Sequence, residues 1–381
     1  MSISTASSMT KLRTVGDVIS ANPPKFIPRL EAPRYSGHRS DETSRVGLAV
    51  ESMKRHMSNE GYEIFQGLMS SGYVLCGRNL PVDETSVPMI LKRMNPSIVV
   101  VQDEREWDVR HGDFRDASAR FYGIEELAKQ QDIFKLTILK DAHQRNAYHS
   151  DSAARMGCHS WIIYYHPRIV AHLAPFVRPE HIIRTWHSLD SNLVPEWGKV
   201  QRRDWTMLSG AVSSAYPLRR RLFQHARDLP SCSALRHPGY HMRGSNTPAF
   251  LGTLPAYKVS ICTSSVYGYA LRKIVESTAC GCIVITDLPT DEVMPEIENW
   301  IDSELFKLPT GGRASKCGNI VRISPDISIP DLAQLIRELY ANWNDEQQRH
   351  WAEKAKAFYD FRAVGKRLAD DIEVMRRKFC A

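Results

Sequence analysis

Apolar residues fall in two rhythms along this chain, and the rhythms alternate. Short apolar runs of strand length occur at 46–49, 72–76, 97–102 (SIVVVQ), 136–140, 161–165 and 181–186. Between them, apolar residues recur at helical spacing over 52–68, 86–94, 124–130, 150–156 and 167–176. A continuous apolar run, unlike an alternating one, marks a strand buried on both faces. Such strands separated by helices form parallel crossovers, and a series of them predicts a doubly wound α/β sheet. The same alternation resumes at 206–209 and runs to about 323, and 329–379 is helical in spacing with no strand. The pattern predicts an irregular basic arm (1–44), an N-terminal Rossmann-like domain (45–200), a second such domain (201–325) and terminal helices (326–381).

The segment 257–289 concentrates polar chemistry at a strand end. Val259 and Ile261 belong to a buried strand, and the spacing of Leu271, Val275 and Ala279 predicts a helix over 268–279. Gly281 ends that helix, and a second apolar strand follows at 282–286. Ligands of such sheets lie beyond the carboxyl ends of the strands. Thr263, Ser264 and Ser265 stand there before the helix, and Arg272, Lys273 and Glu276 stand on it. Free N–H groups at a helix start attract phosphate, Lys273 adds a point charge, and the Glu276 carboxylate has the capacity to accept two ribose hydroxyls. The plainer alternative is an ordinary crossover carrying a surface Lys–Glu pair.

A second segment, 204–226, places Gly210 after a strand and Pro217 where a first helical turn tolerates it. Arg219, Arg220 and Arg221 then crowd the opening of that helix, against its dipole, unless a polyanion binds there. The alternative is a solvated basic turn. Geometry allows one or two of the three to face a ligand, and Arg220 is preferred here over Arg219.

Together these segments resemble the donor half of two-Rossmann (GT-B) glycosyltransferases, most of all the branch containing the spore-maturation CgeB-type enzymes. The resemblance rests on Gly210, Tyr216, Pro217, Arg219 and Arg220, and on Lys273, Glu276, the small-residue run 277–281 and Asp287. It covers in detail about a third of the chain. It implies two Rossmann-like domains facing a cleft, C-terminal helices that pack back across the domains, and a nucleotide-diphosphate sugar as donor, with a UDP-sugar first. It also implies that the loop at His237 and Tyr240 meets the nucleobase, the alternative being a plain Pro-Gly turn. No metal or other cofactor is implied. Related retaining enzymes carry a second glutamate eight positions before the ribose-binding one, and here that position is Gly268.

The general base for such a transfer belongs at a strand end of the first domain. Asp103, followed by Trp107, leaves the strand 97–102, and Asp141 and His143 leave the strand 136–140. Asp, Glu or His has the acid–base chemistry required. His187, after the strand 181–186, is a further candidate lining residue.

Composition narrows the partners. Eight cysteines are scattered without a CxxC pair, which argues against structural zinc and for a reducing, cytoplasmic setting. No apolar window reaches a membrane span, so no membrane insertion is expected. The net charge of +7 is modest, but residues 1–45 hold seven Lys/Arg against four Asp/Glu. A basic arm suits a polyanionic acceptor, and phage DNA glycosyltransferases share the implied fold. The acceptor placed first is therefore the 5-hydroxymethyl group of a modified pyrimidine in DNA. The alternatives are a surface glycan, a spore-coat component or a small metabolite. Outside that class stand a non-catalytic nucleotide- or DNA-binding protein and an epimerase-type isomerase.

Overall fold

The computed structural model of this protein describes residues 12–21, 33–36, 43–49, 60–102, 105–108, 113–116, 121–139, 142–143, 146–237, 247–292, 294 and 304–380. In chain order its elements begin with α1 (Val15–Ala21), β1 (Ser44–Leu48), α2 (Glu60–Ser70), β2 (Tyr73–Cys76), α3 (Val87–Met94), β3 (Pro96–Val101), β4 (Arg105–Asp108) and β5 (Asp113–Asp116). There follow α4 (Glu126–Lys129), β6 (Phe134–Leu139), α5 (Asn146–Met156), β7 (Ser160–Ile163), α6 (Pro167–Leu173), β8 (Ile182–Arg184), β9 (Arg203–Gly210) and α7 (Pro217–Gln224). The chain continues with β10 (Cys232–Arg236), α8 (Thr247–Thr253), β11 (Tyr257–Ile261), α9 (Arg272–Ala279), β12 (Ile283–Thr286) and β13 (Glu304–Lys307). It ends with β14 (Arg313–Cys317), β15 (Ile320–Ile323), α10 (Ile329–Ala341), α11 (Asp345–Tyr359) and α12 (Phe361–Cys380).

These elements form two compact units. One comprises Pro23–Asp190, Tyr240–Thr247 and Tyr359–Ala381; the other comprises Met1–Asn22, Ser191–Gly239 and Pro248–Phe358. The sequence put the boundary at 201, and in the structure it falls at Ser191. The C-terminal helices divide as well: α10 and most of α11 stay with the second unit, and α12 joins the first.

The first unit is built on a six-stranded sheet in the order β2-β1-β3-β6-β7-β8, with every pairing parallel. Every residue of β6 and β7 is buried, which is why these strands read as mostly apolar runs, with Lys135, Thr137 and Ser160 the buried polar exceptions. Val46, Leu48, Val99 and Val101 form a core with Val87 and Ile90 of α3 and Leu127 of α4. Helix α12 packs against α2. Its start is pinned where the Leu189 N–H donates to Tyr359 O at 3.0 Å and the Phe361 N–H donates to Leu189 O at 2.9 Å. Strands β4 and β5 pair antiparallel as a hairpin. The sequence showed no strand at Arg105–Asp108, because REWD carries no apolar run.

The second unit has a seven-stranded sheet in the order β10-β9-β11-β12-β15-β14-β13. It is parallel from β10 to β15 and antiparallel over β15-β14-β13. Helix α10 brings Leu332, Leu335, Ile336 and Leu339, one helical stripe, onto a core shared with Leu218 and Leu222 of α7 and Ile261 of β11. Each such buried side chain contributes roughly 1.5–3 kcal/mol. The start of α10 is capped by Ser328, whose Oγ accepts from the Asp331 N–H at 3.1 Å.

Two features of this unit position the chemistry. Strand β9 lies between β10 and β11, so the chain departs from it to opposite sides. That topological switch point opens a crevice at the carboxyl ends of the strands. The described part of the N-terminal arm, moreover, is an ordered piece of this unit. Helix α1 buries Val15 and Val18, and the Thr290 N–H donates to Arg13 O at 3.0 Å.

Candidate functional site

At the switch point β9 ends in Gly210, whose φ of +127° few side chains tolerate. A Cβ there would stand 2.6 Å from Arg219 Nη1 and 2.6 Å from Lys273 Nζ. The glycine therefore makes room for two cations that converge above it. Arg219 projects from the first turn of α7, where Pro217 fits the helix start and Leu218 and Leu222 anchor the inner face. Its Nε donates to Thr263 Oγ1 at 3.0 Å, its Nη2 to Thr263 O at 2.7 Å and its Nη1 to Ala211 O at 3.3 Å. The Tyr216 ring lies 4.0 Å from the guanidinium carbon. The arginine is thus rigid before any ligand arrives. The sequence reading preferred Arg220, and the structure places the two arginines differently. Arg219 is 2 % exposed at the strand ends, whereas Arg220 is exposed and lines an open depression with Ser214, Pro217, Arg221 and Gln224. Consecutive residues on a helix point about 100° apart, a distinction that three consecutive arginines conceal.

Lys273 sits in the first turn of α9 and donates from Nζ to Ser209 Oγ at 3.3 Å. Burial, and next the Arg219 charge, push its pKa down to about 8. Neither Lys273 nor Arg219 has an ion-pair partner among the described residues. Two adjacent cations without an ion-pair partner among the described residues favour an anion between them. His237, just past β10, donates its backbone N–H to Gly210 O at 3.2 Å. Burial and the Lys273 and Arg219 charges lower its pKa, which favours the neutral ring.

Helix α9 starts at Arg272, four residues later than its spacing predicted. Residues 268–271 stay in the loop because Gly268 adopts φ +61°, outside helical space. No side chain caps this helix start. Glu276 lies 5 % exposed on α9 and accepts from Arg272 Nε at 2.8 Å. The carboxylate expected to meet a ribose is therefore also the counter-charge of a buried arginine.

Ser264 and Ser265, expected to cradle the phosphates, also hold the loop itself together. The Ser264 N–H donates to Asp287 Oδ1 at 2.6 Å, and Ser265 Oγ accepts from the Tyr267 N–H at 3.2 Å. Sequence reasoning also missed Arg13. Its Nη2 donates to Ser264 Oγ and to Ser265 O, the latter at 3.1 Å, and lies 3.6 Å from Asp287 Oδ2. Asp287, 4 % exposed, has its pKa raised by burial, while Arg13 and the Ser264 N–H oppose that rise. Nothing local signals the pairing, because Arg13 reaches Ser264 across 251 positions of sequence.

The acceptor-side candidates lie in the first unit. His143, half-buried after β6, shares a 3.1 Å hydrogen bond between Nδ1 and Tyr165 Oη. His187, beyond β8, stacks on Tyr164 at 4.3 Å between centroids and 6° between planes. Asp103, Asp141 and Tyr240 lie outside the described residues. Among the described residues no group of three or more His, Cys, Asp and Glu is arranged to hold a metal ion. Nor is any helix there long and apolar enough to cross a membrane.

No protein-family model matches the chain, and no curated protein sequence matches it. Solved structures do. Anabaena HepE in complex with UDP-glucose aligns with a TM-score of 0.51 at 11% identity, covering 87% of this chain and 99% of that one. Sucrose-phosphate synthase from Thermosynechococcus elongatus aligns with a TM-score of 0.51 at 12% identity, covering 88% of this chain and 99% of that one. With the two Rossmann-like sheets and the terminal helices, this likeness shows the GT-B fold.

Proposed function

We propose that the protein is a glycosyltransferase that takes its sugar from a nucleotide-diphosphate donor. The observation that carries this reading is the convergence of Arg219 and Lys273, both without an ion-pair partner among the described residues, above Gly210 at the switch point. A diphosphate supplies the missing negative charge. In the reaction an acceptor hydroxyl attacks the anomeric carbon, the bond to the diphosphate oxygen breaks, and the nucleoside diphosphate leaves. Lys273 and Arg219 stabilise the charge that grows on the departing oxygen, and fixed cations do so without reorganising. Rigid hydrogen bonds hold Arg219 for that task. The uncapped start of α9 adds its dipole. Glu276 is assigned the ribose hydroxyls and His237 the base.

His143 is the proposed general base, its ring oriented by Tyr165. An imidazole nitrogen has the chemistry to take the acceptor proton as the hydroxyl attacks. UDP-glucose is the first donor to test, since HepE is solved with that molecule. The acceptor proposed first is a 5-hydroxymethyl pyrimidine in DNA, and what supports it is the net charge of +7 with the basic excess over residues 1–45. A glycan or small metabolite acceptor is the alternative.

The test incubates the protein with pooled nucleotide sugars and hydroxymethylated DNA, followed by mass spectrometry of nucleosides and nucleotides. A sugar-sized mass gain on the modified base with release of nucleoside diphosphate is the expected result. Release without that gain moves the acceptor to a glycan or metabolite. Absence of release across the panel overturns the transferase.

A further inference from the structure

The N-terminal segment 12–21 is docked where ligands of this sheet bind. It rests on the loops that follow β11 and β12, at the carboxyl ends of both strands. Its attachment is extensive. Thr14 and Asp17 form a capping box, with the Thr14 N–H donating to Asp17 Oδ2 at 2.6 Å and the Asp17 N–H to Thr14 Oγ1 at 3.2 Å. The Val15 N–H donates to Asp291 Oδ1 at 2.6 Å. Val18, 2 % exposed, fills the space beside Gly268 that a side chain there would need: a Cβ on Gly268 would stand 2.6 Å from Val18 Cγ2 and 3.0 Å from Pro289 Cγ. Arg322 braces the second loop from beneath, donating to Thr290 O and Glu292 O.

Arg13 is the polar centre of this dock. Its Nη2 is shared among Ser264, Ser265 and Asp287, whereas its Nη1 donates to nothing among the described residues. Asp287 is the significant partner, because a buried carboxylate at these strand ends opposes an incoming polyanion. Its charge is felt at Arg219, where Asp287 is among the groups that favour the protonated guanidinium. Removing Arg13 therefore does more than loosen a loop: it takes the counter-charge from the buried Asp287 carboxyl, whose pKa burial already raises.

We propose that Arg13, carried in by the N-terminal segment, is a positioning residue of the donor site: it fixes the Ser264–Ser265 loop and neutralises Asp287 so that the site accepts a diphosphate. This rests on the donor reading above. It assigns the described arm a role at the nucleotide end of the reaction.

The test is calorimetric titration of UDP and of uridine, separately, into the full-length protein and its Arg13→Gln and Arg13→Lys variants, with a thermal melt of each. Arg13→Gln is expected to weaken UDP about tenfold, as for loss of one charge-assisted contact. Uridine binding should change less than about twofold, and Arg13→Lys should restore most of the UDP affinity by returning the charge. Equal UDP affinity in wild type and Arg13→Gln overturns the proposal and leaves the donor reading standing. Parallel loss of UDP and uridine with no rescue by lysine also overturns it, by showing a merely structural arm. If Arg13→Gln fails to fold, Arg13→Lys decides alone: UDP affinity within about threefold of wild type supports the proposal, and a larger loss that uridine shares overturns it. A wild-type protein that binds neither ligand removes the donor reading, and this proposal with it.

Discussion

At the scale of single residues the site is a balance of charges, and titration exposes it. The free protein holds Lys273 near a pKa of about 8, because burial and Arg219 disfavour its proton. A bound diphosphate favours that proton, so binding and protonation are linked. UDP affinity should therefore fall as pH rises through about 8, by up to about tenfold per pH unit, as calorimetry across that range would record. Glu276 carries a complication for mutagenesis. Glu276→Ala removes the carboxylate that accepts from Arg272 Nε, and Arg272 is itself only 7 % exposed. Breaking such a buried pair costs about 3–5 kcal/mol, which should appear as a lower denaturant midpoint. A joint Arg272→Met, Glu276→Met replacement should recover much of that stability, and its donor KM then reports the ribose contact alone.

At the scale of elements, α1 and the loop before α9 form one assembly. Gly268→Glu would rebuild the second glutamate of the resembled motif, but the position is closed by Val18 and Pro289 and its φ is +61°. The substitution should lower the melting temperature and raise hydrogen exchange over 12–21, without gaining activity. Unchanged exchange in that segment would show that α1 does not depend on this contact. The same assembly explains what the sequence revealed and what it hid. Parallel strands such as β3, β6 and β12 were legible because burial on both faces leaves them mostly apolar. Lys273 and Gly210 were singled out because a strand–loop–helix unit confines the residues at its strand end to a short span, whereas choosing among Arg219, Arg220 and Arg221 needed the orientation of the helix. The start of α9 was misplaced, since Leu271, Val275 and Ala279 keep helical spacing across a loop that Gly268 turns away. The β4–β5 hairpin and the contacts of Arg13 were hidden, the first by its charged residues and the second by sequence distance.

At the scale of the whole molecule, acid stability offers a check on the first unit. His159 is 1 % exposed, accepts at Nδ1 from the Lys135 N–H at 3.0 Å and stacks on Phe134. Burial, and next the Lys135 charge, depress its pKa to about 3. The unfolded chain takes up this proton near pH 6.5 and the folded chain near 3. Stability is thus fully present above 6.5 and is lost as pH falls between those values. Replacing His159 with Gln should flatten that part of the stability profile, measured by denaturant titration at stepped pH. An unchanged slope would assign the acid loss to other groups.

The account turns on whether Lys273 and Arg219 hold a nucleoside diphosphate. The most direct measurement is a calorimetric titration of UDP into the wild-type protein and into Lys273→Met. The account predicts saturable binding by the wild type and a loss of about tenfold or more in the variant, which keeps the chain length and drops the charge. Absence of binding by the wild type, or equal affinity in the two proteins, would contradict it.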